Sequence, residues 1–220
     1  MQKIIIWDLD GTILDSLGVF EETLKLILPQ HGLPLPSVEV MAANFHGSLE
    51  DSIAGVLGNP EPELLAQLVA DFLGTQDSAY AVVEPHLLSD ALRLMQRAHE
   101  AGYRQILVTN RGHVGRLRAS PRSIVANSDL KLYIDTVICG DDGEHTKPKP
   151  AVLGALADEL RAADVLVVGD QHVDAEFALN LEARGVLVRR DGVLPVYMEA
   201  LGRDWQQHVQ VVKSLDEVVL

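Results

Sequence analysis

The chain has 220 residues, 47% of them apolar, which suits one large domain or a domain carrying a modest insert. Its 18 Lys and Arg against 32 Asp and Glu give a formal charge of −14, which argues against nucleic acid or an anionic membrane as a partner bound through the protein's general field. An anionic ligand must then be drawn by local cations or a metal, and no apolar run approaches the roughly 18 residues that span a bilayer.

Ile4-Ile5-Ile6-Trp7 is an uncharged run ending abruptly in Asp8-Leu9-Asp10-Gly11, the pattern of a strand buried on both faces in a parallel sheet. Side chains alternate along a strand, so Asp8 and Asp10 leave its end on one side and Leu9 on the other. Two carboxylates so placed repel unless a cation sits between them, and hard oxygen-rich sites suit Mg2+. The apolar run before Asp8 has only four residues, too few for a signal-peptide core, so the expected location is cytoplasmic.

Leu17, Phe20, Leu24, Ile27 and Leu28 then recur at helical spacing, and Pro29, Gly32, Pro34 and Pro36 end that helix. Further helical segments are expected over Val38 to Phe45, Leu49 to Leu57 and Pro62 to about Tyr80, with no strand between Leu17 and Tyr80. From Leu87 strands and helices alternate. Leu88 to Ala101 reads as a helix and Gln105-Ile106-Leu107-Val108 as a buried strand ending at Thr109-Asn110. Short helical pieces are expected around Val114 to Leu117 and over Pro121 to Ala126. Asp135 to Cys139 reads as a strand, and Cys139, the single cysteine, as a core residue with no disulfide partner. After Thr146-Lys147-Pro148-Lys149-Pro150 a helix is expected over Ala151 to Leu160, with Pro150 in its first turn. Val165 to Val168 is a buried strand ending in Gly169-Asp170, followed by a helix from Val173 to Ala183. Val186 to Val188 and Val209 to Val212 are the last strands, and Ser214 with Glu217 forms a capping box. The expected fold class is α/β, a Rossmann-like doubly wound parallel sheet with an inserted helical unit.

Ligands of such sheets lie beyond the carboxyl ends of the strands. Four polar groups stand there in order. The first is Asp8-Leu9-Asp10-Gly11-Thr12-Ile13-Leu14-Asp15-Ser16. The second is Thr109 at an apolar strand end, a hydroxyl able to hold a phosphoryl oxygen. Lys147 follows in Lys-Pro-Lys-Pro, where the prolines fix the backbone that aims it. The last is Gly169-Asp170-Gln171-His172-Val173-Asp174, in which Asp174 can turn back toward Asp170; a helix N-terminal acid stabilised by the dipole is the plainer account of Asp174 alone. Together these resemble the four motifs of the haloacid dehalogenase superfamily of phosphohydrolases, over nearly the whole chain. The helical segment stands where the phosphoglycolate phosphatase and β-phosphoglucomutase type carries a cap.

The resemblance implies a core of residues 1–16 and 87–220 and a cap of 17–86. It implies that Asp8 is the nucleophile, forming an aspartyl phosphate, and Asp10 the general acid and base. Thr109 and Lys147 would stabilise phosphoryl charge. Mg2+ would be held by Asp8, Asp170 and the Asp10 backbone carbonyl, with Asp174 nearby. Asn110 would help orient the site, and Arg111, His46 and Glu50 are candidates to contact the leaving group. The expected partner is a small phosphorylated metabolite, and the protein a monomer or homodimer. A sugar-phosphate mutase is the alternative, since Gly47-Ser48-Leu49-Glu50-Asp51 resembles the mutase cap segment, although Leu49 stands where an arginine is expected. A phospho-accepting signalling receiver also uses Asp, Thr, Lys and Mg2+, but is near 120 residues and needs no cap.

Overall fold

The uncharged run at residues 4–7 forms the central strand of a sheet. The computed structural model describes residues 2–45, 48–83, 85–113, 115–202 and 204–220. In chain order the elements are β1 (Lys3–Trp7), β2 (Leu14–Asp15), α1 (Leu17–Ile27), α2 (Val38–Asn44), α3 (Leu49–Leu57), α4 (Pro62–Val82), β3 (His86–Leu87), α5 (Ser89–Glu100), β4 (Arg104–Val108), α6 (Pro121–Ala126), β5 (Thr136–Ile138), α7 (Leu156–Leu160), β6 (Asp164–Gly169), α8 (His172–Asn180), β7 (Arg184–Val188) and β8 (Val209–Val212), with short 3-10 turns between them. The chain divides into two compact units, Met1–Leu14 with Leu87–Leu220, and Asp15–His86.

The larger unit is built on a six-stranded sheet in the order β5-β4-β1-β6-β7-β8, with every pairing parallel. The chain leaves β1 to one side for β4 and β5, then returns to the other side for β6, so the order reverses around β1. Alternation places Ile5, Trp7, Leu107, Leu166 and Val168 on one face with Leu94, Met95 and Ala98 of α5. Ile4, Ile6, Ile106, Val108, Val165 and Val167 cover the other face with Phe177 and Ala178 of α8. Both faces are dry, which is why these strands read as continuous apolar runs. A buried polar insertion, Gln105, is satisfied: the Trp7 indole N–H donates to Gln105 Oε1 at 3.0 Å, and the Gln105 amide donates to the Met95 carbonyl at 2.9 Å.

The smaller unit carries α1 to α4 around its own core of Phe20, Leu24, Ile27, Met41, Ile53, Leu68 and Phe72. Phe20 sits between Phe45 and Phe72, with ring centroids 4.9 and 5.6 Å away. Ser48 and Asp51 form a capping box at the start of α3, which gives part of the mutase-like segment a purely local role. No helix among the described residues is long and apolar enough to cross a membrane.

Three expectations fail locally. The helix expected over Ala151 to Leu160 is a 3-10 turn, Pro150–Leu153, then α7. Gly154 breaks it at φ 53° and ψ −128°, a conformation that favours glycine. The helix expected to reach Ala183 ends at Asn180. β7 begins at Arg184, two residues before the apolar run, and Glu182 at φ 53° makes the turn into it. Around Val114 to Leu117, Val114 lies outside the described residues and residues 115–117 are not helical. Two 3-10 turns, Val196–Leu201 and Trp205–Gln207, were not expected; Met198 and Trp205 there pack on Leu187 and Val209.

Two arginines after β7 fix the loops at the strand ends. Arg190 donates to the carbonyls of Gly11 at 2.7 Å and Thr12 at 3.1 Å, and grips Asp90 with both arms of its guanidinium. Arg189 donates to the Asp170 carbonyl at 3.0 Å. Burial pushes the Asp90 carboxyl up, but hydrogen bonds from Arg190, Leu215 N–H and Ala91 N–H outweigh it and hold the group below its usual range. A depressed carboxyl contributes stability above its ordinary range, and that contribution fades as pH falls through the folded value. Arg190→Ala strands a largely buried carboxylate and should cost roughly 1–3 kcal/mol at neutral pH. Urea unfolding at neutral and acid pH would measure this; the difference between variant and parent should shrink at acid pH, and a constant difference would mean that the arginine acts by packing.

Candidate active site

Each predicted site residue of the larger unit falls at the carboxyl end of a strand, on the loop after it or in the first turn of the following helix. Asp8 and Asp10 follow β1, Thr109 to Arg111 follow β4, Lys147 lies on the loop after β5, and Asp170 and Asp174 follow β6. This is the side of the sheet, and the reversal of strand order, where parallel sheets open a crevice.

Lys147 is the hub. Its ammonium lies 2.5 Å from Asp8 Oδ1 and 2.6 Å from Asp174 Oδ1, and its side chain is only 2% exposed. Carboxylate oxygens of Asp8, Asp170 and Asp174 all lie within 4.8 Å of one another. Asp174 has two duties: Oδ1 accepts from Lys147, while Oδ2 accepts the Gln171 N–H as part of the capping box of α8. Asp170 accepts from the Thr12 hydroxyl at 3.2 Å and the Gln171 amide at 2.6 Å. The turn that brings Asp10 round is tight: Gly11 sits at φ 75°, and a Cβ there would lie 2.5 Å from Asp170 Oδ2. Only glycine fits.

Charge in this space does not balance. Burial pushes the Asp8 carboxyl well above its usual range; Lys147 opposes this, while Asp174 and Asp170 add to it. Burial and then Asp174 raise Asp170 to about 7. Lys147 is held above its ordinary value, since Asp174 and Asp8 outweigh the burial that would lower it. One ammonium among three buried carboxylates leaves a deficit of positive charge, and an all-oxygen donor set is what a hard divalent cation takes. The residues present therefore fit Mg2+. Asp8, Asp170 and Asp174 are the carboxylates that would hold it, and each also accepts at least one hydrogen bond from a protein group.

The second motif builds the opposite wall. Thr109 is buried, and its hydroxyl oxygen accepts the Arg111 N–H at 3.1 Å, which leaves the hydroxyl proton free to be donated. The Asn110 side chain accepts the Lys147 N–H at 2.9 Å and donates to the Lys147 carbonyl at 3.1 Å, so it positions the lysine. Arg111 grips Asp10, donating through Nε at 2.9 Å and through a second, shorter bond. Its side chain is 8% exposed and Asp10's 31%. Thus Asn110 and Arg111, read as substrate contacts, bind protein groups in this structure. Glu50 is an exposed residue of α3 in the helical unit, and His46 lies outside the described residues.

Sequence reasoning missed Asp90, Arg189 and Arg190. Their signal was faint: an Arg pair directly after a short apolar strand, at the same strand-end level as the motifs.

The family model for haloacid dehalogenase-like hydrolases matches residues 2–181, and a second, HAD-hydrolase-like model matches residues 145–218. A phosphoglycolate phosphatase of Vibrio cholerae is 30% identical over 191 residues, covering 81% of this chain and 80% of its own. That of Aliivibrio fischeri is 29% identical over 185 residues, covering 80% and 79%. Among solved structures, CbbY of Rhodobacter sphaeroides in complex with phosphate superposes with a TM-score of 0.66 at 18% identity, over 99% of this chain and 96% of that one. A haloacid dehalogenase-like protein of Streptococcus pneumoniae gives 0.69 at 16% identity over 96% and 93%. At these identities the structures speak for the fold, and the family rests on the sequence models. With its four motifs assembled on one edge of a parallel sheet, the chain belongs to the haloacid dehalogenase-like hydrolases.

Proposed function

We propose that the protein is a Mg2+-dependent phosphatase that hydrolyses a small phosphorylated metabolite through an aspartyl phosphate on Asp8. The observation that carries this is Lys147 held between Asp8 and Asp174 beside Asp170, with Asp10 on the same turn as the nucleophile. When bound by Asp8, Asp170 and the Asp10 backbone carbonyl, Mg2+ would supply the positive charge that lets an anionic carboxylate approach an anionic phosphate.

The chain's own groups account for the rest. Lys147 holds Asp8 Oδ1, which leaves Oδ2 to attack phosphorus in line with the leaving oxygen. The bond from phosphorus to that oxygen breaks, and Asp10 delivers a proton to it. Arg111 engages both carboxylate oxygens of Asp10, which delivers a proton in the first half-reaction and takes one from the attacking water in the second. The pair must therefore loosen for the first. Lys147 and the Thr109 hydroxyl neutralise charge on the phosphoryl oxygens. Cleavage of the acyl phosphate by water returns Asp8 and releases inorganic phosphate.

The curated relatives carry the name phosphoglycolate phosphatase, so 2-phosphoglycolate heads the panel of metabolites to be tried. We read the helical unit as a cap that sets substrate choice, with hinges near Ser16 and Val83 to His86 and with His46 and Glu50 as candidate contacts.

Purified protein should cleave p-nitrophenyl phosphate with Mg2+ and lose that activity in EDTA, and Asp8→Asn should form no acid-stable phosphoprotein. Undiminished turnover in EDTA would exclude the reading. The two lysines of Lys-Pro-Lys-Pro separate function from fold: Lys149 is exposed, whereas Lys147 is 2% exposed at its side chain. Lys147→Ala should lower kcat by about 10²–10³, the usual worth of one preorganised charge donor, and Lys149→Ala should leave it unchanged. Equal effects would show that the loop, not the ammonium, matters.

A further inference from the structure

The loops after β4 and β5 bring together a second set of metal-binding side chains, of a different chemical kind. The ring nitrogen of His113, the thiol of Cys139 and a carboxylate oxygen of Asp142 all lie within 4.8 Å of one another. We propose that His113, Cys139 and Asp142 form a site for a borderline-soft divalent transition metal of the Zn2+ class, separate from the all-carboxylate centre.

The donor set selects the ion. Imidazole nitrogen, thiolate sulfur and carboxylate oxygen are ligands that Zn2+ takes together, and Mg2+ does not compete for the sulfur. A tetrahedral zinc shell has ligand-to-ligand edges of roughly 3.3–3.8 Å, so small side-chain rotations close the observed spacing. His113 Nδ1 lies 3.4 Å from Asp142 Oδ1 and 2.7 Å from Asp141 Oδ1, which offers Asp141 or a water as the fourth ligand. Both Asp142 oxygens are held: Oδ2 accepts the Cys139 N–H at 2.8 Å, and Arg122 donates to both, so an ion would share the carboxylate with the arginine.

The two loops are joined before any ion arrives. Gly140 N–H donates to the Arg111 carbonyl at 3.0 Å, and a Cβ at Gly140 would lie 2.2 Å from the Asn110 carbonyl oxygen. The donors are thus carried on a contact that already exists, as a preorganised site requires. The thiol is buried, so bulk solvent does not reach it. An ion here would tie the loop bearing Thr109, Asn110 and Arg111 to the end of β5. The rival account is a closed ion-pair network in which a protonated His113 pairs with Asp141 and Asp142 and takes up no metal.

Co2+ is the probe that separates these, because thiolate ligation gives a near-ultraviolet charge-transfer band that carboxylate centres lack. The full chain in excess Mg2+ should show this band, saturating at one equivalent of Co2+, and Zn2+ should bleach it. Cys139→Ser should abolish it. His113→Ala, at a side chain 26% exposed, should weaken Co2+ uptake by at least about tenfold, the loss that even an outer-shell partner causes. Asp170→Asn should leave the band unchanged. Circular dichroism would check the fold of each variant, and His113→Ala carries the test if Cys139→Ser does not fold. Absence of the band would favour the ion-pair network, and a band indifferent to His113→Ala would show the thiol binding Co2+ without the imidazole; either result would overturn the proposal.

Discussion

Three carboxylates and one ammonium share a small buried space at the end of β1, and the electrostatics of that space governs the rest of the structure. Burial raises the Asp8 and Asp170 carboxyls there, and at Asp8 the Lys147 ammonium only partly opposes it. A protein gathers like charges in this way only if the surrounding fold holds them against their repulsion. Here the holding is done by a parallel sheet with both faces dry, whose strands cannot shift without exposing Ile4, Ile6 or Trp7.

The loops repeat the same logic. Asn110 fixes both backbone groups of Lys147, Arg190 fixes the carbonyls of Gly11 and Thr12, and Arg189 fixes that of Asp170. In each of these contacts the site residue is held by its backbone, not by its side chain. That leaves side-chain oxygens such as Asp8 Oδ2 directed by the fold yet not consumed by it. Asp90 extends the arrangement to the C-terminal segment, since it binds Arg190 on one side and the Leu215 N–H on the other.

Much of this was legible in the sequence, for identifiable reasons. A strand buried on both faces writes itself as an uncharged run, so β1, β4 and β6 and the polar residue ending each could be placed. The Ser214–Glu217 box was readable because its pattern is local. What stayed hidden depends on tertiary context. The break at Gly154 looks like any glycine in an apolar segment until its φ and ψ are known. The early end of α8 is imposed by the register of β7 against β6, where Arg184 stands opposite Leu166. Arg111 read as a substrate cation because its partner, Asp10, lies 101 positions away in the chain. Arg190 was missed for the same reason, its contacts being 100 to 179 residues distant.

The four cations described at this site share one further feature, and it bears on how so acidic a protein meets an anionic substrate. Lys147, Arg111, Arg189 and Arg190 are each bonded to the protein's own oxygens: to carboxylates, to carbonyls, or to both. None of these pairs adds net attraction for a phosphate while it stays closed, and the chain carries −14 overall. Two sources of attraction remain. One is a divalent ion added to the carboxylate cluster, which offsets its local deficit of positive charge. The other is exchange, in which a phosphoryl oxygen takes the place of a carboxylate against Lys147 or Arg111. Exchange alone would free a carboxylate next to the incoming dianion, an arrangement that raises energy in a low-dielectric site. On the proposed mechanism the ion would then precede or accompany the substrate, and the Arg111–Asp10 pair, closed in this structure, would open on entry of the anion.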